Sequence, residues 1–496
     1  MRVLVVISEM PPIVSGVANC GSRLVDGLRA RGHEVDVEAA PEIPRWIVGE
    51  FRFSGFVRRW GAVRKRLDKY DVINLHGPTP SLSDAFLALS QTVSPMRKPP
   101  IVYTHHSFIE LDGLRGASAA YNKLHARLMR GADRVVVTSD SYREIVSAAT
   151  GREPVVVPWG VDRERFAAEP RSERDPAGPL RILFVGQMRP YKGVENLIRA
   201  VAGSPQLALT LVGGGPMADQ VESLIGELGA TNVTYKGRVA DEQLPPEYAS
   251  HDVIALPSLT RAEAYGLVLL EGMAAGCVPL GSDLPGVRDV VDGTGIVVPP
   301  GDLEALRSSL LSLAADDTRR ERLAEASAER TRALTWDSVV EGYERIFEQS
   351  VRVAHSRLAV AALSSSKTTP EAVLSRLTSR FGATRASLLM FGNGGLGADT
   401  PVPVSAWGPF GHAHFVDAPP LISSYVAESG EGVLLDSEHT PSDVRGLLRR
   451  EDVASALAVP IRTPRGRLVL NLSIERGQTD RRFTPRDLRE ALRCVA

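Results

Sequence analysis

Two glutamates lie seven residues apart in one otherwise apolar stretch, Arg261-Ala-Glu-Ala-Tyr-Gly-Leu-Val-Leu-Leu-Glu-Gly-Met-Ala-Ala-Gly-Cys-Val-Pro279. If Glu263 sits in a loop and Glu271 about one turn inside the helix that follows, both carboxylates face a single cleft. Carboxylates are acceptors for sugar hydroxyls. The backbone amides of Tyr265, Gly266 and Leu267, at the head of that helix, would point toward phosphate. An isolated Glu pair is more often a helix-charge device, but the apolar setting argues against that here.

A cationic pair occurs in Phe184-Val-Gly-Gln-Met-Arg-Pro-Tyr-Lys-Gly193, where Arg189 and Lys192 follow an apolar run and precede a helical pattern. Two cations there offset the charge of a departing diphosphate. A solvated surface pair is the ordinary reading of an arbitrary Arg and Lys, and the place in the chain argues against it. Leu211-Val-Gly-Gly-Gly-Pro216 offers Gly214 and Gly215 for close backbone approach to a ligand. In Glu9-Met-Pro-Pro-Ile-Val-Ser-Gly-Val17, Gly16 either lets amides approach a phosphate at a helix start or simply makes a strand-to-helix turn.

The elements that must carry these residues follow from the apolar pattern. Strands are predicted at Val3–Ile7, Val35–Glu38, Val72–Leu75, Ile101–Thr104, Val135–Thr138 and Val155–Val157, separated by helix-length segments. Strands apolar on both faces indicate a parallel sheet covered by helices on each side. The polar, proline-bearing stretch Glu169–Pro179 reads as a linker. The alternation then restarts at Arg181–Val185, Ala208–Val212, Val233–Tyr235, Val253–Leu256, Val278–Gly281 and Ile296–Val298. The fold class is therefore α/β, with two Rossmann-like doubly wound domains over 1–168 and 169–350. Their facing strand ends form a cleft of the kind that takes nucleotides. Trp336, Val340, Tyr343 and Phe347 recur at helical steps and predict a helix packing back across both domains. After Ser364–Pro370, strands at Ala386–Phe391, Val402–Trp407, Gly432–Leu435, Ala456–Ile461 and Arg467–Ile474 predict an α+β domain over 355–496.

The 496 residues carry 58 basic and 59 acidic side chains, a net charge of −1 that removes the field expected of a nucleic-acid binder. Apolar content of 43% is ordinary for a packed globular chain. The cysteines, Cys20, Cys277 and Cys494, are far apart and without metal-like spacing, which fits a reducing compartment. Met1-Arg2 runs into an apolar segment too short for a signal peptide, and no run of about eighteen apolar residues occurs. The expected location is cytoplasmic, or peripheral at the inner face of a membrane.

Residues 1 to about 350 resemble the GT-B-fold retaining glycosyltransferases of family 4. The resemblance rests on the Gly16 loop, Val157-Pro-Trp-Gly-Val-Asp162, Gly-Gln-Met-Arg-Pro-Tyr-Lys-Gly, the Gly213–Pro216 loop and the spaced glutamates. It implies that Glu271 holds the donor ribose and Glu263 the hydroxyls of the transferred sugar. Arg189, Lys192 and the Gly16 amide then hold the diphosphate of a nucleotide-sugar co-substrate. The family also places a histidine beside the sugar. Val102-Tyr-Thr-His-His106 is similar to that site, with His106 chosen and His105 a competitor because the pair leaves the register open. His76 ends another strand and is a candidate for the acceptor cleft, or a structural histidine. The implied mechanism is same-face transfer to a hydroxyl acceptor without a protein nucleophile. No Asp-x-Asp pair is present, so no metal and no cofactor are expected.

Between Arg45 and Lys69, eight basic and two acidic residues interleave with Trp46, Phe51, Phe53, Phe56 and Trp60. Exposed basic-aromatic helices favour anionic membranes, which suits a lipid-linked acceptor; a glycan is the other acceptor class. A surface helix whose aromatics pack on the sheet is the competing reading. Residues from about 355 onward resemble a GAF domain through Ala454–Ile461, Gly466–Leu472 and Phe483–Leu488, implying a sensory or homodimerising module. A nucleotide-sugar epimerase of the same architecture and a non-catalytic nucleotide-sugar sensor are the alternatives.

Overall fold

The computed structural model describes residues 1–363 apart from 14, 41, 49–50, 94–97, 111–114, 170–174 and 176–177. Beyond these it describes 370–391, 402–407, 426, 433–436, 453–463, 466–475 and most of 481–491. The expected linker Glu169–Pro179, Ser364–Pro370 and Cys494 fall largely or wholly outside the described residues.

Six parallel strands form the first sheet, ordered Glu34–Ala40, Arg2–Glu9, Val72–Gly77, Ile101–His105, Arg134–Val137, Val155–Val156. Val3 to Ile7 are fully buried, because helices cover both faces of the sheet. Helix ends are set by local chemistry: Ser15 caps the helix Gly16–Ala30 by accepting from the Ala18 amide, and Ser139 caps Asp140–Thr150 by accepting from Tyr142.

The second sheet is also parallel, ordered Val233–Gly237, Leu207–Val212, Leu180–Val185, Val253–Leu256, Val278–Ser282, Ile296–Val298. Its order reverses between Leu180–Val185 and Val253–Leu256, the switch point where ligands gather at the carboxyl ends of such sheets. The loops leaving those two strands carry Arg189 and Lys192 on one side and Glu263 on the other.

A 28-residue helix, Trp336–Leu363, returns to the first lobe. It lies so close to Gly16–Ala30 that a Cβ on Gly27 would meet Val340 Cγ2 at 2.4 Å. Glu344 accepts from Arg31 and lies within 2.7 Å of both Arg31 Nη1 and His33 Nε2. Its Tyr343 and Phe347 join Trp159, Leu24 and the second-lobe residues in one continuous apolar core. The other face of the first sheet packs into a separate core with Phe86, Tyr103 and Tyr142.

The segment 45–69 is not one helix. Arg45–Val48 and Phe51–Ser54 form an antiparallel hairpin, and only Phe56–Lys65 is helical. Phe56 and Trp60 turn inward onto Phe86, at ring-centroid distances of 5.6 and 5.4 Å. The side chains of Trp46, Phe51 and Phe53 lie outside the described residues. The C-terminal sheet is antiparallel, ordered Val402–Trp407, Arg385–Phe391, Gly466–Glu475, Val453–Thr463, Val433–Asp436. The long helix also packs on this unit, against Pro370–Phe381, Val402–Trp407 and Val453–Thr463.

Gly160 sits where the first lobe meets the start of the long helix, and a Cβ there would come within 2.4 Å of the Thr335 carbonyl carbon. Backbone cannot yield as a side chain tip does, so Gly160→Ala is expected to cost about 1–3 kcal/mol, read as a lowered urea midpoint. An unchanged midpoint would contradict this packing.

Candidate functional site

The switch point brings its two loops into contact. Leu259 N donates to the Tyr191 carbonyl at 2.7 Å, and Gly193, at φ 68°, leaves no room for a Cβ beside the Pro257 carbonyl. Between the loops the Lys192 ammonium donates to the Glu263 carboxylate, and Ser258 Oγ lies 3.5 Å from that carboxylate. Both charged side chains are nearly enclosed, 13% and 11% exposed, so each depends on the other. Burial alone would lower the lysine pKa, but Glu263 outweighs it and the group is held protonated above its ordinary range. Arg189, in the same loop, donates through Nε to Gln187 at 2.7 Å.

Gly214 and Gly215 lie where two loops pack backbone to backbone. Met188 N donates to the Gly214 carbonyl, and Gly213 (φ 128°) and Gly215 (φ 155°) lie against the backbone of Gly186 and Met188. Any side chain at 213 or 215 would separate the Arg189 loop from its neighbour.

The helix Leu267–Ala274 starts at Gly266 in the left-handed conformation (φ 90°) with no side-chain cap, leaving its first amides without an internal acceptor. Gly16 of the first lobe approaches it: a Cβ there would lie 4.0 Å from Leu267 Cδ1. Tyr265, buried, points its hydroxyl at the Trp159 carbonyl across the lobes, at 3.4 Å. Glu271 lies one turn into the helix and accepts from the Tyr248 hydroxyl at 2.7 Å. Burial pushes its carboxyl up to about 7, while Tyr248, Arg165 and Arg23 of the first-lobe helix hold it down. The two glutamates thus lie on either side of the Gly266 helix start, each with a different partner.

In the first lobe, strand alternation separates the adjacent histidines. Thr104 and His106 share a face with Asn74 and His76. His106 stacks on Trp159 at 5.9 Å, and its Nε2 lies 3.1 Å from His76 Nδ1. Burial lowers the His106 pKa to about 4, so the ring is neutral near pH 7. His76, 1% exposed, lies beneath His106 rather than on the cleft wall, and its Nε2 is 2.8 Å from Asn74 Oδ1. His105 turns the other way, fully buried among Tyr103, Phe108, His125 and Tyr142. Sequence reasoning missed Asn74, Tyr248 and Arg165 as parts of this arrangement, and carried Trp159 only within the segment Val157–Asp162, without a role. A polar residue two positions before His76 on an apolar strand was a usable signal for Asn74; nothing in the sequence singled out Tyr248. Among the described residues no group of three or more His, Cys, Asp or Glu is arranged to hold a metal ion. No described helix is long and apolar enough to cross a membrane.

A family model described as Glycosyltransferase Family 4 matches residues 14–165, one described as Glycosyl transferases group 1 matches 166–330, and a GAF domain model matches 368–496. The chain is 30% identical over 392 residues to a phosphatidyl-myo-inositol mannosyltransferase of Mycobacterium leprae, covering 73% of this chain and 100% of that protein. It is 32% identical over 379 residues to the Mycobacterium tuberculosis protein of the same name, covering 70% and 97%. Among solved structures, sucrose-phosphate synthase of Thermosynechococcus elongatus shares the fold at TM-score 0.59 and 22% identity, over 70% of this chain and 98% of that one. Anabaena HepE in complex with UDP does so at TM-score 0.56 and 18% identity, over 70% and 100%.

Glu271 gives a pH signature. Its folded pKa, about 7, is raised above the ordinary 4.5, so its contribution to stability is full below about pH 4.5 and is lost as pH rises through about 7. Glu271→Gln should therefore be more stable than wild type at pH 8 and lose that advantage by pH 4.5, by thermal unfolding. A difference independent of pH would sink the assignment.

Proposed function

Since this chain belongs to the family 4 glycosyltransferases, with a GAF domain at its C-terminal end, we propose that it moves a hexose-type sugar from a nucleotide-diphosphate donor to a hydroxyl acceptor with retention of anomeric configuration. The observation that carries this reading is the Lys192–Glu263 pair at the switch point, one turn of chain away from the uncapped helix start at Gly266. Lys192 and Arg189 neutralise the departing diphosphate, together with the amides of Gly16 and of Tyr265 to Leu267. Gly214 and Gly215 keep that loop close. Glu263 orients the sugar hydroxyls beside His106, and Glu271 accepts from the ribose. The leaving phosphate takes the acceptor proton, and the cations do the work that a divalent ion does in other sugar transferases. The relatives named as transferases give the epimerase alternative no support.

Purified protein offered a panel of nucleotide-diphosphate hexoses should release nucleotide diphosphate from at least one, with or without chelator. Lys192→Ala should lower kcat by about 10²–10³, the usual effect of removing a charge-stabilising donor. Release from no donor, or the same kcat in the variant, would remove the reading.

For the acceptor we favour a lipid-linked hydroxyl met at the inner membrane face, because two relatives covered almost end to end act, by name, on phosphatidyl-myo-inositol. Arg59 and Arg66 are engaged by Glu38, but Arg58, Arg64, Lys65 and Val57 (58% exposed) face outward from the helix Phe56–Lys65. Such a face suits anionic headgroups. The GAF domain is assigned a sensory or subunit-pairing role. Sedimentation tests both points: the protein should run as a dimer and pellet with vesicles containing phosphatidylinositol. Glu at positions 58, 64 and 65 should abolish pelleting; pelleting unaffected by charge reversal would contradict the membrane reading, and a monomer throughout would contradict the subunit-pairing role and leave the sensory one.

A further inference from the structure

A line of buried polar side chains runs under the cleft from His106 to the long helix, and its chemistry fixes the protons between Asn74 and His106. It begins at the Val102 carbonyl, which can only accept. Asn74 Nδ2 lies 3.2 Å from that oxygen and 3.0 Å from Thr104 Oγ1. Turning the amide over would set two acceptor oxygens face to face, so Nδ2 must point there and Oδ1 must face His76. Oδ1 is 2.8 Å from His76 Nε2, which must therefore carry a proton.

His76 is 1% exposed, and burial together with the neighbouring His106 holds its pKa well below the ordinary value. The ring is neutral, so a proton on Nε2 leaves Nδ1 bare. That bare nitrogen is 3.1 Å from His106 Nε2, a distance at which one of the two must donate. Only His106 can. His106 is itself neutral, so its remaining nitrogen, Nδ1, holds a lone pair. At the far end Thr104 Oγ1 lies 3.0 Å from the Tyr343 hydroxyl, which ties the line to the helix Trp336–Leu363.

We propose that Asn74 and His76 are positioning residues that fix the His106 proton on Nε2, so that Nδ1 serves as an acceptor for a hydroxyl proton of the bound sugar. The inference rests on the reading of His106 as a sugar-side residue. With the opposite tautomer the same ring would present N–H, and a sugar hydroxyl would have to turn its lone pair toward it, changing which hydroxyl arrangement fits.

Two variants separate positioning from packing. Glutamine at 76 can donate to Asn74 Oδ1 and accept from His106 Nε2–H, as neutral histidine does, whereas leucine can do neither. In the ligand-free full chain labelled with ¹⁵N-histidine, long-range ¹H–¹⁵N correlation should show His106 as the Nε2–H tautomer in wild type and in His76→Gln. In His76→Leu the tautomers should mix. On whichever donor wild type uses, His76→Gln should keep nucleotide-diphosphate release within about threefold, and His76→Leu should lose about tenfold or more, the scale of one buried hydrogen bond. An Nδ1–H signal for His106 in wild type, an unmixed Nε2–H tautomer in His76→Leu, or equal impairment of the two variants would overturn the proposal. The tautomer is read without substrate, so a protein inactive on every donor would fail the transferase reading while this inference is still decided by the spectrum.

Discussion

The cleft depends on the return of the helix Trp336–Leu363 to the first lobe. Each parallel sheet could satisfy its own backbone, but nothing in either sheet fixes the separation of the lobes. The helix does so by burying Val340 against Gly27, stacking Tyr343 on Trp159 at 6.2 Å, and engaging Arg31 and His33 through Glu344. Large aromatic contacts of this kind supply most of the apolar area that holds such a junction together. The same Trp159 carries His106 on its ring and receives the Tyr265 hydroxyl at its carbonyl. One residue, through its indole and its carbonyl, is thus shared by the histidine wall, the helix-start wall and the returning helix.

Against that frame the polar groups of the site fall into two kinds. Lys192 and Glu263 neutralise each other in a nearly enclosed place, where either charge alone would be costly. His106 and Glu271 have instead been moved by burial toward their neutral forms. A ligand with a diphosphate and many hydroxyls would meet a positive loop and acceptor groups whose desolvation has already occurred on folding. Preorganisation of this sort is where electrostatic stabilisation gains its strength.

Much of this was legible from residue types. All twelve strands of the two parallel sheets fell where apolar runs of Val, Ile and Leu marked them, because a doubly covered sheet leaves no polar face to blur the pattern. The helix stripe at Trp336, Val340, Tyr343 and Phe347 was visible for the same reason. In the segment 45–69 the inward packing of Phe56 and Trp60 agrees with a surface helix whose aromatics face the sheet, but the hairpin before it is not legible, since an alternation of Arg with Trp and Phe fits a hairpin as well as a helix and only tertiary pairing decides. The adjacency of His105 and His106 left the register open until strand parity separated them by face. Tyr248 and Arg165 could not be found from sequence at all: they reach Glu271 through folding alone, from segments with no chemical signature of their own.

The returning helix also has a mechanical side. At 28 residues it is a rod of about 42 Å, using 1.5 Å of rise per residue. It bears on the first lobe near one end and on the GAF domain toward the other. A tilt of about five degrees about the far end would swing the near tip through roughly 3.7 Å and carry Tyr343, about 30 Å from that end, through roughly 2.6 Å, close to the length of a hydrogen bond. The seat of the terminal domain and the alignment of the His106 wall are therefore both tied to the angle of a single axle.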